Sequence, residues 1–317
     1  MFSISTKDEN GFEIKSLADS ISGASIEIIP ACGAILYSFK ILHNGTFLNV
    51  VDSYASKIEF EEQVEAKGFK GAKLSPFVCR IQEGNYLYAA KDYKIDKFYL
   101  GKNAIHGLIY DQPFEVTQEE QNEEMAAVEM IHSYKGSDAG YPFLYDCKVR
   151  YELKKNCSLS ITTTIINLDA GIIPVCDGWH PYFGFGSNID DCQLEFQSKE
   201  IVEFDSELIP TGKLLPYQLF GSLQKIGDTF FDHCFTLNFA ECQPMLLFRD
   251  PSLKLQVEIR PDKSYPYLQL YTPSHRKSLA IENLSAAPDA FNNGMGLISL
   301  PAGEEISFTT NYKVNSF

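Results

Sequence analysis

The chain has 317 residues, 44% of them hydrophobic, which is enough for a large core. Its 27 Lys and Arg against 42 Asp and Glu give a formal net charge of -15, which repels DNA, RNA and anionic membrane surfaces and so excludes them as partners. No apolar run approaches the roughly 18 to 20 residues of a membrane helix.

The N-terminal stretch "MFSISTKDENGFEIK" has no apolar core and so does not read as a secretory signal. The eight cysteines include no C-x-x-C pair and no zinc-type spacing. They read as small buried hydrophobes in a reducing, cytoplasmic protein.

The dominant hydrophobic period is two, which predicts strands. "AILYSFKILHNGTFLNVV" places Asn44-Gly45 between two apolar runs, a strong hairpin signal. The acidic stretch at 55–67, "ASKIEFEEQVEAK", is the best helix candidate. "FEVTQEEQNEEMAAVEMIHSYK" predicts a hairpin turning at its acidic cluster. "CKVRYELKK" sets Cys147, Val149, Tyr151 and Leu153 on one face, and with "CSLSITTTIINL" predicts the next hairpin. "PMLLFRDPSLKLQVEIR" turns around Asp250, Pro251 and Ser252. "LISLPAGEEISFTTNYKV" predicts a last hairpin turning at Pro301-Ala302-Gly303. With no repeat or linker-like shift in composition, residues 1–317 read as one domain of packed antiparallel sheets.

There is no G-x-x-x-x-G-K-[ST], no G-x-G-x-x-G after a strand, no H-E-x-x-H and no G-x-S-x-G. Nothing in the chain asks for a nucleotide, a flavin or a metal, and no cofactor is expected. The polar residues of interest lie beside stiff apolar ones: Arg80 in "SPFVCRIQEGNY", His106 in "NAIHGLIYD", His180 in "GWHPYFGFG", Asp232 in "FFDHCFTL" and Glu282 in "SLAIENLSAAPDAFN". Singly, each reads more readily as a structural, turn or salt-bridged residue, and none carries a functional claim.

In series, they carry a resemblance. Arg80, the "HG" at His106-Gly107, "HPYF", Asp232-His233 and a Glu followed by "PDAFN" resemble the aldose 1-epimerase (mutarotase) family in the family's order. "GYP" at 140–142, "QLYT" at 269–272 and "LPAGE" near the end extend the resemblance over nearly the whole chain. It implies an all-β fold, a large antiparallel β-sandwich of the galactose mutarotase-like supersandwich type, with a sugar cleft on one sheet. It implies Glu282 as general base and His180 as general acid. Arg80, His106 and Asp232 would hold sugar hydroxyls, with Gln269 near the substrate.

The sequence also departs from the family's pattern. Gly178-Trp179 stands where the family usually has Asn before "HPYF", and Gly184-Phe185 replaces the Asn-Leu that follows it. Phe114 is the nearest counterpart of an aromatic that often follows the "HG".

The implied reaction interconverts the α and β anomers of an aldose, and needs only an acid and a base on one hemiacetal. An active form with Glu282 ionised and His180 protonated is expected. Trp179, Tyr182 and Phe183 are expected to wall the site and adjust both groups. His43, His132, His233 and His275 are expected to be structural or surface residues. Two alternatives share the scaffold: a carbohydrate-binding protein without turnover, and a hexose-phosphate mutarotase, which needs further cations for the phosphate.

Overall fold

Alternation along Leu144–Lys154 decides how that strand faces. Cys147, Val149, Tyr151 and Leu153 are fully buried, and the residues between them are half-exposed. The strand pairs antiparallel with Ser158–Asn167, as the sequence predicts. In the computed structural model, which describes residues 1–317, this hairpin lies in one of two nine-stranded sheets. Asn44 and Gly45 both have positive φ (50° and 80°) and close the hairpin of Ile35–His43 with Thr46–Asn49. That hairpin ends a five-stranded sheet built from residues 2–49.

The first large sheet runs in the order 115–121, 125–135, 144–154, 158–167, 305–316, 255–261, 246–250, 193–196 and 224–225. The second runs 210–216, 198–204, 232–237, 267–271, 279–284, 178–179 and 73–74, with 182–183 also pairing on 279–284 and, on its other side, with 51–52. The two sheets face each other through named contacts. Phe183 packs on Tyr312 at 5.2 Å between ring centroids, Trp179 Nε1 donates to Thr163 Oγ1 at 3.2 Å, and Thr310 donates to Asn283 Oδ1 at 2.7 Å. Burying a Phe- or Leu-sized side chain here stabilises the fold by about 1.5–3 kcal/mol.

The helix expected in 55–67 forms over Lys57–Gln63. Ser56 caps it by accepting from the Glu59 N–H at 3.2 Å, and Phe60 anchors it edge-on to Tyr54.

The last predicted hairpin does not form. Ile298–Leu300 pairs with Ile173–Val175, whereas Glu305–Ser316 runs between 158–167 and 255–261 in the large sheet. A period of two fixes a strand's faces and leaves its partner open. Cys242 corrects a second expectation, being exposed rather than buried.

Candidate active site

Strand register brings distant residues together. Gly178 pairs with Leu284 and Tyr182 with Ala280, so His180 falls opposite Glu282. Its Nε2 lies 3.3 Å from Glu282 Oε1. Gln269 pairs with Glu282 on the other side, and Cys234 with Gln269. Asp232 lies two residues before Cys234, hence on the same face, and accepts a 3.1 Å hydrogen bond from Gln269 Nε2. This face turns away from the sandwich core.

Arg80 and His106 come from a small sheet against that face, in which Ile105 pairs with Arg80. The His106 N–H donates to Cys79 O at 2.8 Å, and both residues have positive φ (62° and 49°). Gly107 follows at φ +77°, where a Cβ would lie 2.3 Å from Ser75 O. Only glycine allows this approach, so the "HG" pair has a backbone cause. Asp289 of "PDAFN" pins the other end: its N–H donates to Arg80 O at 2.7 Å, and its carboxylate accepts from the Gln82 N–H at 2.9 Å.

Arg80, His106, His180, Asp232, Gln269 and Glu282 thus line one cleft of about 310 Å³. His106 stands edge-on to His180, 5.0 Å between ring centroids, and Tyr182 stacks on His180 at 5.2 Å. His106 Nδ1, His180 Nδ1, Gln269 Oε1 and Glu282 Oε2 are buried without a partner in the protein. Buried polar atoms rarely stay unpaired unless something else pairs with them. A hollow of similar volume elsewhere also has unpartnered hydroxyls, Ser53 Oγ and Tyr54 OH, but the charged Glu27 in its lining is already held by Lys7, Ser38 and Lys40.

Burial acts against charge on both His180 and Glu282. It pushes the Glu282 carboxyl well above the usual carboxylate range, and the nearby Asp232 charge adds to this while Arg80 opposes it. It lowers the His180 imidazole to about 4. His106 is held neutral by burial and by the neighbouring His180 and Arg80. This burial therefore favours a neutral Glu282–His180 pair over the ionised Glu282 and protonated His180 expected from the sequence. No three His, Cys, Asp or Glu side chains gather in a metal-ligating cluster.

Residues 19–313 match the family described as aldose 1-epimerase. The chain belongs to that family. A curated relative from Escherichia coli (strain K12), the uncharacterized protein YihR, is 26% identical over 240 residues, covering 74% of this chain and 75% of its own. A galactose mutarotase-like protein from Clostridium acetobutylicum superposes with a TM-score of 0.87 at 20% identity, covering 100% of this chain and 99% of that one. Galactose 1-epimerase from Lactobacillus acidophilus gives 0.82 at 17%, with 100% and 99% covered. At such identities the likeness is one of fold.

Against the aldose 1-epimerase pattern, the departures fall in particular places. Trp179 does not wall the cleft; it faces the core, beside Tyr151 and Thr163. Phe183 also faces the core. Of the three aromatics expected there, Tyr182 alone lines the cleft. Strand parity separates them, since 180 and 182 share one face and 179 and 183 the other. Phe114 is buried against His132, away from the cleft, and Phe69 instead packs edge-on to His106 at 4.6 Å.

Sequence reasoning missed Phe69, Cys79 and Tyr271, which also line the cleft. Tyr271 was accessible to it, two residues past Gln269 on the same face. Phe69 was not, since the loop after the helix brings it in.

Proposed function

We propose that the protein is a mutarotase, interconverting the α and β anomers of an unphosphorylated aldose with Glu282 and His180 as base and acid. The 3.3 Å contact between His180 and Glu282 on the cleft floor carries this reading. The unpartnered Glu282 Oε2 and His180 Nδ1 beside it support it. Arg80 is the sole Lys or Arg among the lining residues, which favours a neutral sugar over a hexose phosphate. A pure binding protein has no use for a buried carboxylic group and imidazole in contact, because desolvating both is costly. Unpaired thiols such as Cys147 and Cys176 suit a reducing, cytoplasmic setting, and one contiguous core spanning Phe2 to Val314 suits a chain acting as one domain.

The reaction needs no exchange of electrons with a cofactor. Glu282, ionised, takes the proton of the anomeric hydroxyl while protonated His180 gives one to the ring oxygen. The bond from C1 to the ring oxygen breaks, and C1 becomes an aldehyde. Rotation about C1–C2 turns the other carbonyl face toward the ring hydroxyl. Closure reverses both transfers: His180 regains its proton and Glu282 returns the other to the new anomeric oxygen. The ionised pair and the neutral pair hold the same number of protons, so a proton shift within the pair converts one to the other. Arg80, Asp232, His106 and Gln269 hold the remaining hydroxyls.

Polarimetry on freshly dissolved α-anomers of several aldoses tests the proposal. The wild type is expected to speed equilibration and Glu282→Gln to be slow. Sugar binding without acceleration for any aldose would reverse it in favour of a binding protein.

A further inference from the structure

Lys73 and Asp177 hold opposite charges where neither meets water. Both side chains have zero exposure, and Lys73 Nζ lies 2.5 Å from Asp177 Oδ2. Such a pair is a poor source of stability, because desolvating two ions offsets most of their attraction. Its location supplies another reason.

The pair joins the chain segments that carry the reacting groups. His180 is tied to the residues just before Lys73: its N–H donates to Ala72 O at 3.0 Å, and its carbonyl accepts from the Gly71 N–H at 2.8 Å. Lys73 is the cross-strand partner of Trp179 and donates to Gly178 O at 3.1 Å. Asp177 grips the strand of Glu282 just past its end. Its N–H donates to Ser285 Oγ, and its carbonyl accepts from the Ser285 N–H, both at 2.8 Å. Tyr265 donates to Asp177 Oδ1 at 2.6 Å. Trp179 covers the ammonium, 4.5 Å from its ring centroid. All this lies on the core side of the sheet, opposite the cleft.

We propose that Lys73, Asp177 and Tyr265 are positioning residues, a buried clamp that fixes the separation and orientation of His180 and Glu282. The proposal rests on the acid–base reading above. An apolar contact tolerates sliding, whereas a slip here would leave a buried charge unpaired. Proton transfer demands that rigidity, since a displacement of about 1 Å can cost about 10²-fold in rate. Trp179 belongs to the clamp, which accounts for its place before "HPYF" without any contact to sugar.

The test compares two variants with the wild type. Lys73→Met with Asp177→Asn removes both charges together and keeps an acceptor for Tyr265. Tyr265→Phe removes one hydroxyl and leaves the ion pair. The double variant is expected to lose about tenfold or more in kcat, and Tyr265→Phe about threefold or more. KM is expected to stay within about twofold, because Arg80 and Asp232 lie outside the clamp.

Folded variants with wild-type kcat overturn the proposal. So does a KM that rises in step with falling kcat, which marks general loosening. If the double variant does not fold, Tyr265→Phe decides alone. If the wild type turns over no aldose, the acid–base reading fails separately. The 15N resonances of the His180 imidazole then decide on the clamp. Displaced shifts and an altered titration in the variants support it, and unchanged ones overturn it.

Discussion

His180 Nε2 sits 3.3 Å from Glu282 Oε1, although 101 residues separate them in the chain, because their strands pair antiparallel. In the proposed reaction neither side chain can carry both proton transfers alone. Glu282→Gln and His180→Asn are each expected to lower kcat by about 10² to 10⁴, the usual worth of a positioned acid or base. Both proteins should remain folded and still bind sugar. The double variant should be little worse than the single ones, because the two transfers depend on each other. Polarimetry with thermal melts of each variant checks this, and near-normal turnover by folded Glu282→Gln removes the base.

The pH dependence follows from the directions of the two shifts. Burial raises Glu282 and lowers His180 to about 4, so between those limits the pair holds one proton. The ionised pair that starts the reaction has that same count. A plot of kcat/KM against pH is therefore expected to be flat around neutrality. It should fall near pH 4, as a second proton enters at His180, and fall on the alkaline side as Glu282 loses the last one. In Glu282→Gln the remaining acid, His180, must still be protonated, so residual activity should keep an alkaline fall and lose the acid one. In His180→Asn the remaining base, Glu282, must be ionised, so residual activity should keep an acid fall and lose the alkaline one.

Arg80 and His106 both line the cleft and differ in what they touch. Arg80→Ala is expected to raise KM about tenfold or more with a smaller change in kcat, as for a lost charged hydrogen bond to a hydroxyl. His106 stands edge-on to His180, 5.0 Å away, so His106→Ala should lower kcat as well as raise KM. Initial rates over a range of sugar concentrations separate the two.

Gly107→Ala probes the backbone under the site. Its Cβ would meet Ser75 O at 2.3 Å at a φ of +77°. Strain of this kind costs about 1–3 kcal/mol, and the clash adds to it. A lower urea midpoint together with weaker sugar binding is expected, since the strands of His106 and Arg80 must shift. Chemical denaturation and titration with sugar measure both.

Treatment with a chelator is expected to leave full activity, since in the proposed reaction Glu282 and His180 carry both proton steps. Loss of activity restored by one metal ion would contradict that.

Period-two alternation made the strands legible, and Leu144–Lys154 buries the four residues that its pattern selects. Asn44-Gly45 made one turn legible, because few residue pairs accept positive φ twice. The ordered motifs picked out Arg80, His106, His180, Asp232, Gln269 and Glu282, which the fold gathers at one cleft. Local pattern carries such information because it is written within a few residues.

Only the tertiary structure decided what depends on distant pairing. It sent Ile298–Leu300 and Glu305–Ser316 to different sheets and brought Phe69 to His106. It set Lys73 against Asp177 and turned Trp179 toward the core. It also buried Glu282 and His180, which raises the carboxyl and lowers the imidazole. Desolvation depends on how many atoms surround a group in space, and no run of neighbours in the chain states that number.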